Sequence, residues 1–462
     1  MNPFDSAAYA ALTKGLDVRE ITFSQVLMAD AMRMEAEFYT ASASAFESTT
    51  GAGAIRFSQY GTSKELNERS NGVPVLRLNE FDLSFIGCPA KWSTLSIDEF
   101  NALKLKSGDV LICRTNGNPH LVGKSALVCE DADIAFASYL FRVRPKESVI
   151  NAATLVAFLN SRYGRVEIER YAMRGNQANF SPAKFRLIKI PLLGNKVNRA
   201  VAKIMHEAYS QNVKARKCYE AAEVELERAL SIDAWRPTED NISVKTFDDA
   251  MNAGRIDAEY FQPKFDDLNG RLAKMKVRTL GGKTGIADVY KSIDPPSEFY
   301  GSEGVPFVRI SDFSKLGIEK PEVKLPPEIC KDCKRIEKDE ILLSKDGSIG
   351  IAYKAEEKMD MVTSGAILHL TLRDREVNSD YLTLLLNSRI VQMQAERDAG
   401  GSIIQHWKPS QVEAVQIPIL PRKVQDSLAK KVRKAFALRK ESKKLIAEAK
   451  QMVEDAIEGK VA

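Results

Sequence analysis

The sequence predicts an α+β fold that occurs twice in tandem, with a long helix after each copy. Two observations lead to this prediction. Ordered blocks of the first half of the chain recur in the second half, and each half ends in a long stretch without Pro or Gly. We therefore expect two related domains, each built from a mixed or antiparallel sheet with helices and each followed by a helix.

The internal repeat rests on several blocks that recur in the same order. In pairs, with the first copy before the second, they are Ala31–Tyr39 and Ala253–Phe261, Gly72–Arg77 and Gly304–Arg309, Leu159–Arg162 and Leu386–Arg389, and Ile190–Leu193 and Ile417–Leu420. The last two pairs are both separated by 227 residues, as are Phe180 and Trp407. Because chance matches do not keep order and spacing, we infer a duplication.

Short apolar runs rich in β-branched residues, separated by Gly, Pro, Asn and Asp, predict strands within each copy. The predicted strands are Asp109–Cys113, Ala126–Cys129, Ile134–Val143, Glu340–Leu343 and Ala366–Leu372. A helix interrupts each set, at Ala152–Ser161 and at Ser379–Ser388.

The long runs Asn195–Asp233 and Arg422–Glu458 have apolar residues at alternating spacings of three and four, the 3.5-residue period of a coiled coil. A lone amphipathic helix usually packs on a globular core, but two at matching repeat positions favour each other. We therefore predict an antiparallel coiled coil within the chain. The residues expected to pair are Val197, Val201, Ile204, Val424, Leu428, Leu438 and Leu445.

These features divide the sequence into four parts. Residues 1–194 form the first domain, 195–236 the central helix and linker, 237–420 the second domain and 421–462 the C-terminal helix.

Composition indicates a cytoplasmic protein. Lys and Arg number 67 against 62 Asp and Glu, a net charge of +5 that permits binding to nucleic acid without requiring it. No apolar run reaches the ~20 residues of a membrane helix, and no signal peptide is visible at the start of the sequence. Six scattered cysteines fit a reduced compartment better than a disulfide scaffold.

No motif for catalysis stands out. Cys330 and Cys333 have the spacing of half a zinc site, but no second pair lies near them in sequence, so we favour a loop with two thiols. The histidines show no metal-binding spacing, and no catalytic triad is evident. We expect a chain that is not an enzyme and binds neither a metal nor a cofactor itself.

The ordered set of blocks, occurring twice and each time before a long helix, resembles the specificity subunit of type I restriction-modification systems. The resemblance implies that each domain recognises one half of a split double-stranded DNA site and that the helices fix the gap. It also implies docking of methyltransferase subunits, two of them expected, and of endonuclease/translocase subunits. S-adenosylmethionine, ATP and Mg²⁺ would then be bound by those partners. No membrane partner is expected.

Two alternatives remain open. The opening residues lack the Trp-rich start of better-known members, which points toward relatives that serve fused methyltransferase–nuclease systems. A scaffold with two binding domains on a coiled-coil stalk, without DNA binding, is the other. A third candidate, a nuclease with an unrecognised site, is disfavoured because polar loops and helices occur as matched pairs.

Two loops in each copy are candidates for DNA contact, because they combine glycine with side chains that hydrogen-bond base edges or phosphates. In the first copy the candidate residues are Arg114, Asn116, Asn118, His120, Lys124, Arg174, Asn176, Gln177 and Asn179. In the second copy they are Ser344, Lys345, Ser348, Ser402, Gln405, His406 and Lys408.

Overall fold

The structure is a computed structural model that describes residues 9, 11–14, 18, 20–28, 32, 34, 38–39, 46–172, 178–240, 242–319, 321–401 and 405–460. It divides into two compact units. Unit 1 comprises residues 1–212 and 439–462, and unit 2 comprises residues 213–438. The predicted repeat block Ala31–Tyr39 and the predicted contact residues Arg174, Asn176, Gln177 and Ser402 lie wholly or largely outside the described residues.

The strands of unit 1 are short and belong to several small sheets. They are β1 Ser48–Thr50, β2 Ile55–Tyr60, β3 Val73–Leu76, β4 Phe81–Asp82, β5 Phe85–Ile86, β6 Trp92–Ser93, β7 Val110–Cys113, β8 Thr115–Asn116, β9 Ser125–Leu127, β10 Ala135–Phe136, β11 Leu140–Pro145, β12 Ala178–Asn179 and β13 Lys189–Pro191. The largest sheet has the order β2-β11-β7-β9-β5-β4, beside β10-β3-β6, β1-β13 and β12-β8.

The strands of unit 2 pair in a corresponding order. They are β14 Val277–Thr279, β15 Ala287–Lys291, β16 Val305–Val308, β17 Phe313–Ser314, β18 Gly317–Ile318, β19 Lys324–Leu325, β20 Ile341–Ser344, β21 Ala352–Lys354, β22 Val362–Thr363, β23 Ile367–Leu372 and β24 Gln416–Pro418. The sheet β15-β23-β20-β21 matches β2-β11-β7-β9, and β19-β16-β22 matches β6-β3-β10. In both units a buried antiparallel strand pair, β7 with β11 or β20 with β23, lies at the centre of the main sheet.

The helices are mostly short, apart from two of 36 residues each. They are α1 Phe23–Met28, α2 Gly51–Ala54, α3 Ile97–Leu103, α4 Ala152–Leu159, α5 Arg162–Tyr171, α6 Pro182–Phe185, α7 Gly194–Ala229, α8 Phe247–Ala253, α9 Pro263–Leu272, α10 Ser379–Leu386, α11 Arg389–Asp398, α12 Pro409–Ala414 and α13 Arg422–Ile457. Asn151 and Asn378 cap α4 and α10 by accepting backbone N–H bonds of the first turn, which sets where these buried helices begin.

Both long helices contribute to both units. Residues 194–212 of α7 and 439–457 of α13 belong to unit 1, whereas 213–229 and 422–438 belong to unit 2. In unit 1, Val197 and Val201 share a core with Leu445, and the Ser442 hydroxyl donates to the Ala208 carbonyl at 2.8 Å. In unit 2, Leu428 lies in the core with Ala222, and the Ser427 hydroxyl donates to the Glu225 carboxylate at 2.8 Å.

The remaining residues that were expected to pair between the helices are less buried. Ile204 and Val424 are partly buried against the cores of their own units, and Leu438 is half-buried. The 3.5-residue pattern did not predict burial of four further helix residues, Met205, Tyr219, Leu226 and Val432. The apolar face of each helix is therefore wider than a coiled-coil seam, because it also packs against the domain of its unit.

Two expectations from the sequence need correction. The run Ile134–Val143 is two strands, because a turn closed by the Leu140 N–H bond to the Ala137 carbonyl separates β10 from β11. Trp235, assigned to a linker, is buried in the core of unit 2. The guanidinium carbons of Arg271 and Arg389 lie 4.8 and 5.1 Å from the centre of its ring. Within the described residues, no helix is both long and apolar enough to cross a bilayer.

Candidate nucleic-acid interface

The first candidate loop of unit 1 begins where β7 leaves the core. Its turn is shaped by two asparagine side chains. The Asn116 carboxamide oxygen accepts the Asn118 N–H at 2.8 Å, and the Asn118 oxygen accepts the His120 N–H at 3.0 Å. These bonds favour a tight turn, the 3₁₀ segment Pro119–Leu121. Asn116 and Asn118 therefore have a structural task here, while the His120 side chain is exposed at the turn.

The second candidate loop of unit 1 returns alongside the first. β12 pairs with β8 so that Asn179 lies opposite Thr115 and Ala178 opposite Asn116. The Phe180 N–H donates to the Arg114 carbonyl at 2.7 Å, and the Phe180 ring is fully buried. The fold thus brings the described parts of the two candidate loops of unit 1 together at one edge.

Several cationic residues lie in or near the two loops of unit 1 in the sequence. The Arg114 guanidinium lies 5.3 Å from the centre of the Tyr60 ring. Arg165 donates to the carbonyls of Val122 and His120, at 2.7 and 3.2 Å, and these bonds stabilise the turn. Lys124 and Lys184 are half-buried, and Arg186 is exposed. Such a distribution suits contact with phosphate oxygens.

Unit 2 joins its two candidate loops by the same backbone bond. The Trp407 N–H donates to the Lys345 carbonyl at 2.8 Å, as Phe180 does to Arg114 in unit 1. The Gly347 N–H donates to the Gln405 carbonyl at 3.0 Å, and His406 bridges to Asp346 and Gly400. Lys345 therefore occupies the place of Arg114.

A hydrogen-bonded histidine and aspartate pair lies on the exposed side of this junction. The His406 Nδ1 lies 2.8 Å from the Asp346 carboxylate, which also contacts the Lys345 ammonium group. The His406 side chain is 62% exposed, against 22% for Asp346. The less exposed Asp346 therefore orients the imidazole of His406, which remains largely exposed to solvent.

The other predicted residues of unit 2 differ in exposure. Ser348, Gln405 and Lys408 are exposed. Ser344 is fully buried, and its hydroxyl donates to the Ser348 carbonyl at 2.6 Å while accepting the Ile351 N–H at 2.8 Å. We therefore assign Ser344 to shaping the loop and not to contact with a ligand.

A buried acid lies at the start of the strand that leads to each loop. In unit 1, Asp109 accepts from Arg142 at 3.1 Å and from Arg144 at 2.6 Å. In unit 2, Glu340 lies 2.9 Å from the His369 Nδ1 and also contacts Lys334. Burial alone raises the pKa of a carboxyl, but the hydrogen bonds from His369 and Lys334 hold the pKa of Glu340 below its usual value.

The phenylalanine and tryptophan anchors and the buried acids were not among the predicted site residues. The constant separation of 227 residues between Phe180 and Trp407 was the signal for the anchors, but a repeat does not say what a shared residue does. Arg77 and Arg309 have a comparable bracing role, since each binds a carboxylate three residues later, Glu80 or Asp312.

The two thiols of the Cys-x-x-Cys motif lie at the end of the 3₁₀ segment Pro327–Cys330. Cys330 is buried and burial raises the pKa of its thiol, while the Cys333 thiol donates to the Ile329 carbonyl at 3.3 Å. Among the described residues, no group of three or more His, Cys, Asp or Glu side chains is arranged to hold a metal ion.

Residues 275–451 match the family model described as "Type I restriction modification DNA specificity domain". This part of the chain, within unit 2 and α13, is similar to that domain family. The matched residues run from just before β14 into α13 and include the second candidate interface. The specificity-subunit resemblance drawn from the sequence is thereby confirmed.

Solved structures similar to the chain include the S subunit of a type I restriction-modification system from M. genitalium, with 12% identity, coverage of 89% of this chain and 96% of that chain, and a TM-score of 0.41. They also include the HsdS subunit from Thermoanaerobacter tengcongensis, with 14% identity, coverage of 90% and 97%, and a TM-score of 0.30. A comparison with curated proteins found no match.

Proposed function

We propose that this chain is the DNA sequence-recognition subunit of a type I restriction-modification complex, and that each unit recognises one half of a bipartite, asymmetric site. One observation carries the proposal. At the same place in both units, two polar loops are joined by the same backbone bond, from Phe180 to Arg114 and from Trp407 to Lys345. Their exposed side chains differ, as expected if the half-sites differ in sequence.

The candidate loop residues divide into two classes of contact. Asn179, Gln405 and His406 have side chains suited to base edges in the major groove. Arg114, Lys124 and Lys408 are suited to phosphates, which position the protein without specifying sequence. His120 and Ser348 stay candidates for either class. Lys345 is buried and paired with Asp346, and its predicted DNA contact stays a prediction, as do those of Arg174, Asn176, Gln177 and Ser402.

We propose further that α7 and α13 pair as one antiparallel coiled coil that acts as a spacer between the half-sites. Side-chain contacts between the two helices within each unit support this pairing. A helix of 36 residues is about 54 Å long at ~1.5 Å per residue. Half-sites one helical turn of DNA apart are separated by about 34 Å, which such a spacer can span.

The partners follow from the same proposal. Two adenine methyltransferase subunits and endonuclease/translocase subunits would dock on the chain in the cytoplasm, and they would bind S-adenosylmethionine, ATP and Mg²⁺. The chain itself would perform no chemistry. A fused methyltransferase–nuclease partner would require the same recognition subunit and would differ only in what docks.

The test is co-production of the full chain with the methyltransferase encoded beside it, followed by mapping of methylated adenines in host DNA. One split motif with two unlike halves, absent when this chain is omitted, is the expected result. In parallel, affinity for duplex DNA should fall steeply with salt, with a slope of about −0.9 in log–log form for each phosphate contacted. No chain-dependent motif and no salt dependence would favour the scaffold without DNA binding.

A further inference from the structure

One position in each unit occupies the same place in the junction of the two loops. Asn179 of unit 1 lies opposite Thr115, and His406 of unit 2 bridges to Asp346. Each directly precedes the buried aromatic residue whose N–H joins the loops, Phe180 or Trp407. The two pairs are therefore equivalent, Thr115 and Asn179 in one unit and Asp346 and His406 in the other.

The pair in unit 1 places a carboxamide at this junction. The Thr115 hydroxyl donates to the Ala178 carbonyl at 3.1 Å and is thereby occupied. Within the part of the chain that the structure describes, the half-buried Asn179 side chain has no hydrogen bond. A carboxamide offers a donor and an acceptor side by side, which matches the N7 and N6 edge of adenine in the major groove.

The pair in unit 2 presents a single ring nitrogen. The Asp346 carboxylate can only accept, so at 2.8 Å it fixes the proton on the His406 Nδ1 and orients the ring. In the tautomer with this proton, the ring offers its Nε2 as an acceptor. The Lys345 ammonium group contacts the same carboxylate, so the charge of Asp346 is compensated locally. An acceptor at Nε2 matches an exocyclic amino group, which cytosine and adenine present in the major groove.

We propose that these two pairs set the base at one position of each half-site: adenine through Asn179, and a base with a major-groove amino group, cytosine or adenine, through His406. Asp346 is the positioning residue for His406. The inference rests on the proposed function and adds the residues that make the two half-sites unlike.

The experiment selects bound duplexes from a random-sequence library with the full chain, co-produced with its methyltransferase partner. The unaltered chain is compared with the double variant Asp346→Thr/His406→Asn and with its reciprocal, Thr115→Asp/Asn179→His. The first variant should narrow one position of the second half-site to adenine, with a preference on the order of 10- to 100-fold. The reciprocal variant should relax adenine at one position of the first half-site while the second half-site stays unchanged.

Asp346 is tested by two single substitutions. Asp346→Asn keeps an oxygen that accepts the Nδ1 proton and should retain the base preference. Asp346→Ala removes it and should broaden the preference at that one position, while affinity for duplex of unrelated sequence stays within about twofold. A preference that both substitutions leave intact would overturn the positioning role.

Failure of this inference is distinguishable from failure of the proposed function. If the unaltered chain selects no sequence, the proposed function fails. If it selects a split sequence but the exchanges change no base, or change bases in both halves, the assignment to these pairs is wrong. Guanine or thymine selected at the position assigned to His406 would also overturn it. The half-site left unaltered in each variant serves as the control for folding.

Discussion

The two units neutralise an equivalent buried acid with different partners. Asp109 and Glu340 each begin the central strand that leads to the candidate interface. Asp109 is bound by Arg142 and Arg144, whereas Glu340 is bound by His369 and Lys334. Arg142 and His369 lie on equivalent strands, opposite Leu111 and Leu342. A shared fold therefore fixes where the charge must be compensated but leaves the compensating group free to vary.

The difference matters because arginine and histidine differ in whether they must keep their charge when the acid is removed. Burial lowers the pKa of Arg142, yet an arginine stays charged at neutral pH. A histidine can release its proton and become neutral. The charged partner of the acid is buried in unit 1, where Arg142 is 5% exposed, whereas Lys334 of unit 2 is 28% exposed.

The largest expected effect comes from removing the acid of unit 1. Asp109→Ala leaves the Arg142 guanidinium, 5% exposed, without its carboxylate, and should lower the unfolding free energy of unit 1 by about 3–5 kcal/mol. Glu340→Ala should lower that of unit 2 by about 1–3 kcal/mol, because the charged partner that it leaves, Lys334, is partly exposed to water. Hydrogen exchange at the amides of β7 and β20 measures each unit separately. Equal losses would remove the proposed distinction between the units.

A second pair of substitutions asks whether each long helix stabilises the unit to which its segment belongs. Leu445→Ala should destabilise unit 1, and Leu428→Ala should destabilise unit 2, each by about 2–4 kcal/mol, since both side chains are buried. Hydrogen exchange in β7 and β20 is again the measurement. The half-buried Leu438 provides the matched control, and Leu438→Ala should have a smaller effect in either unit.

Acid should destabilise unit 2. The pKa of Glu340 in the folded state lies below its ordinary value of 4.5, so its ionised form stabilises the fold. That stabilisation is complete above pH 4.5 and is lost as the pH falls through the lower folded value. Unfolding followed by hydrogen exchange between pH 6 and pH 3 should show this loss in β20, and Glu340→Gln should flatten it. A dependence that survives the substitution would have another origin.

The smallest effect concerns phosphate contact. Lys408 is exposed beside His406, and Lys408→Gln should weaken binding to duplexes of every sequence by less than about tenfold. The salt slope should fall by about one, and the preferred sequence should not change. A changed motif would place Lys408 among the residues that contact bases. The reciprocal test in unit 1 uses Lys124→Gln.

The sequence predicted the elements well wherever a local pattern determined them. Ala152–Ser161 was expected as a helix and α4 spans Ala152–Leu159, and the run Arg422–Glu458 became α13 within one residue. Local patterns failed where a distant partner decides the outcome. Asp109 and Arg142 are 33 residues apart in sequence, and nothing in either neighbourhood indicates that strand pairing will bury them together. The same holds for His406 and Asp346, which are 60 residues apart.

The division of the chain into units also bears on how the protein is made. Unit 2 is one continuous stretch, residues 213–438, whereas unit 1 needs residues 439–462 to complete its core. A ribosome adds about 5–20 residues per second and finishes unit 2 before it begins residues 439–462. Leu445 in that segment packs in the same core as Val197 and Val201. The half of the protein translated first is consequently the last to complete its fold, and until then it exposes an apolar helix face to the cell's chaperones.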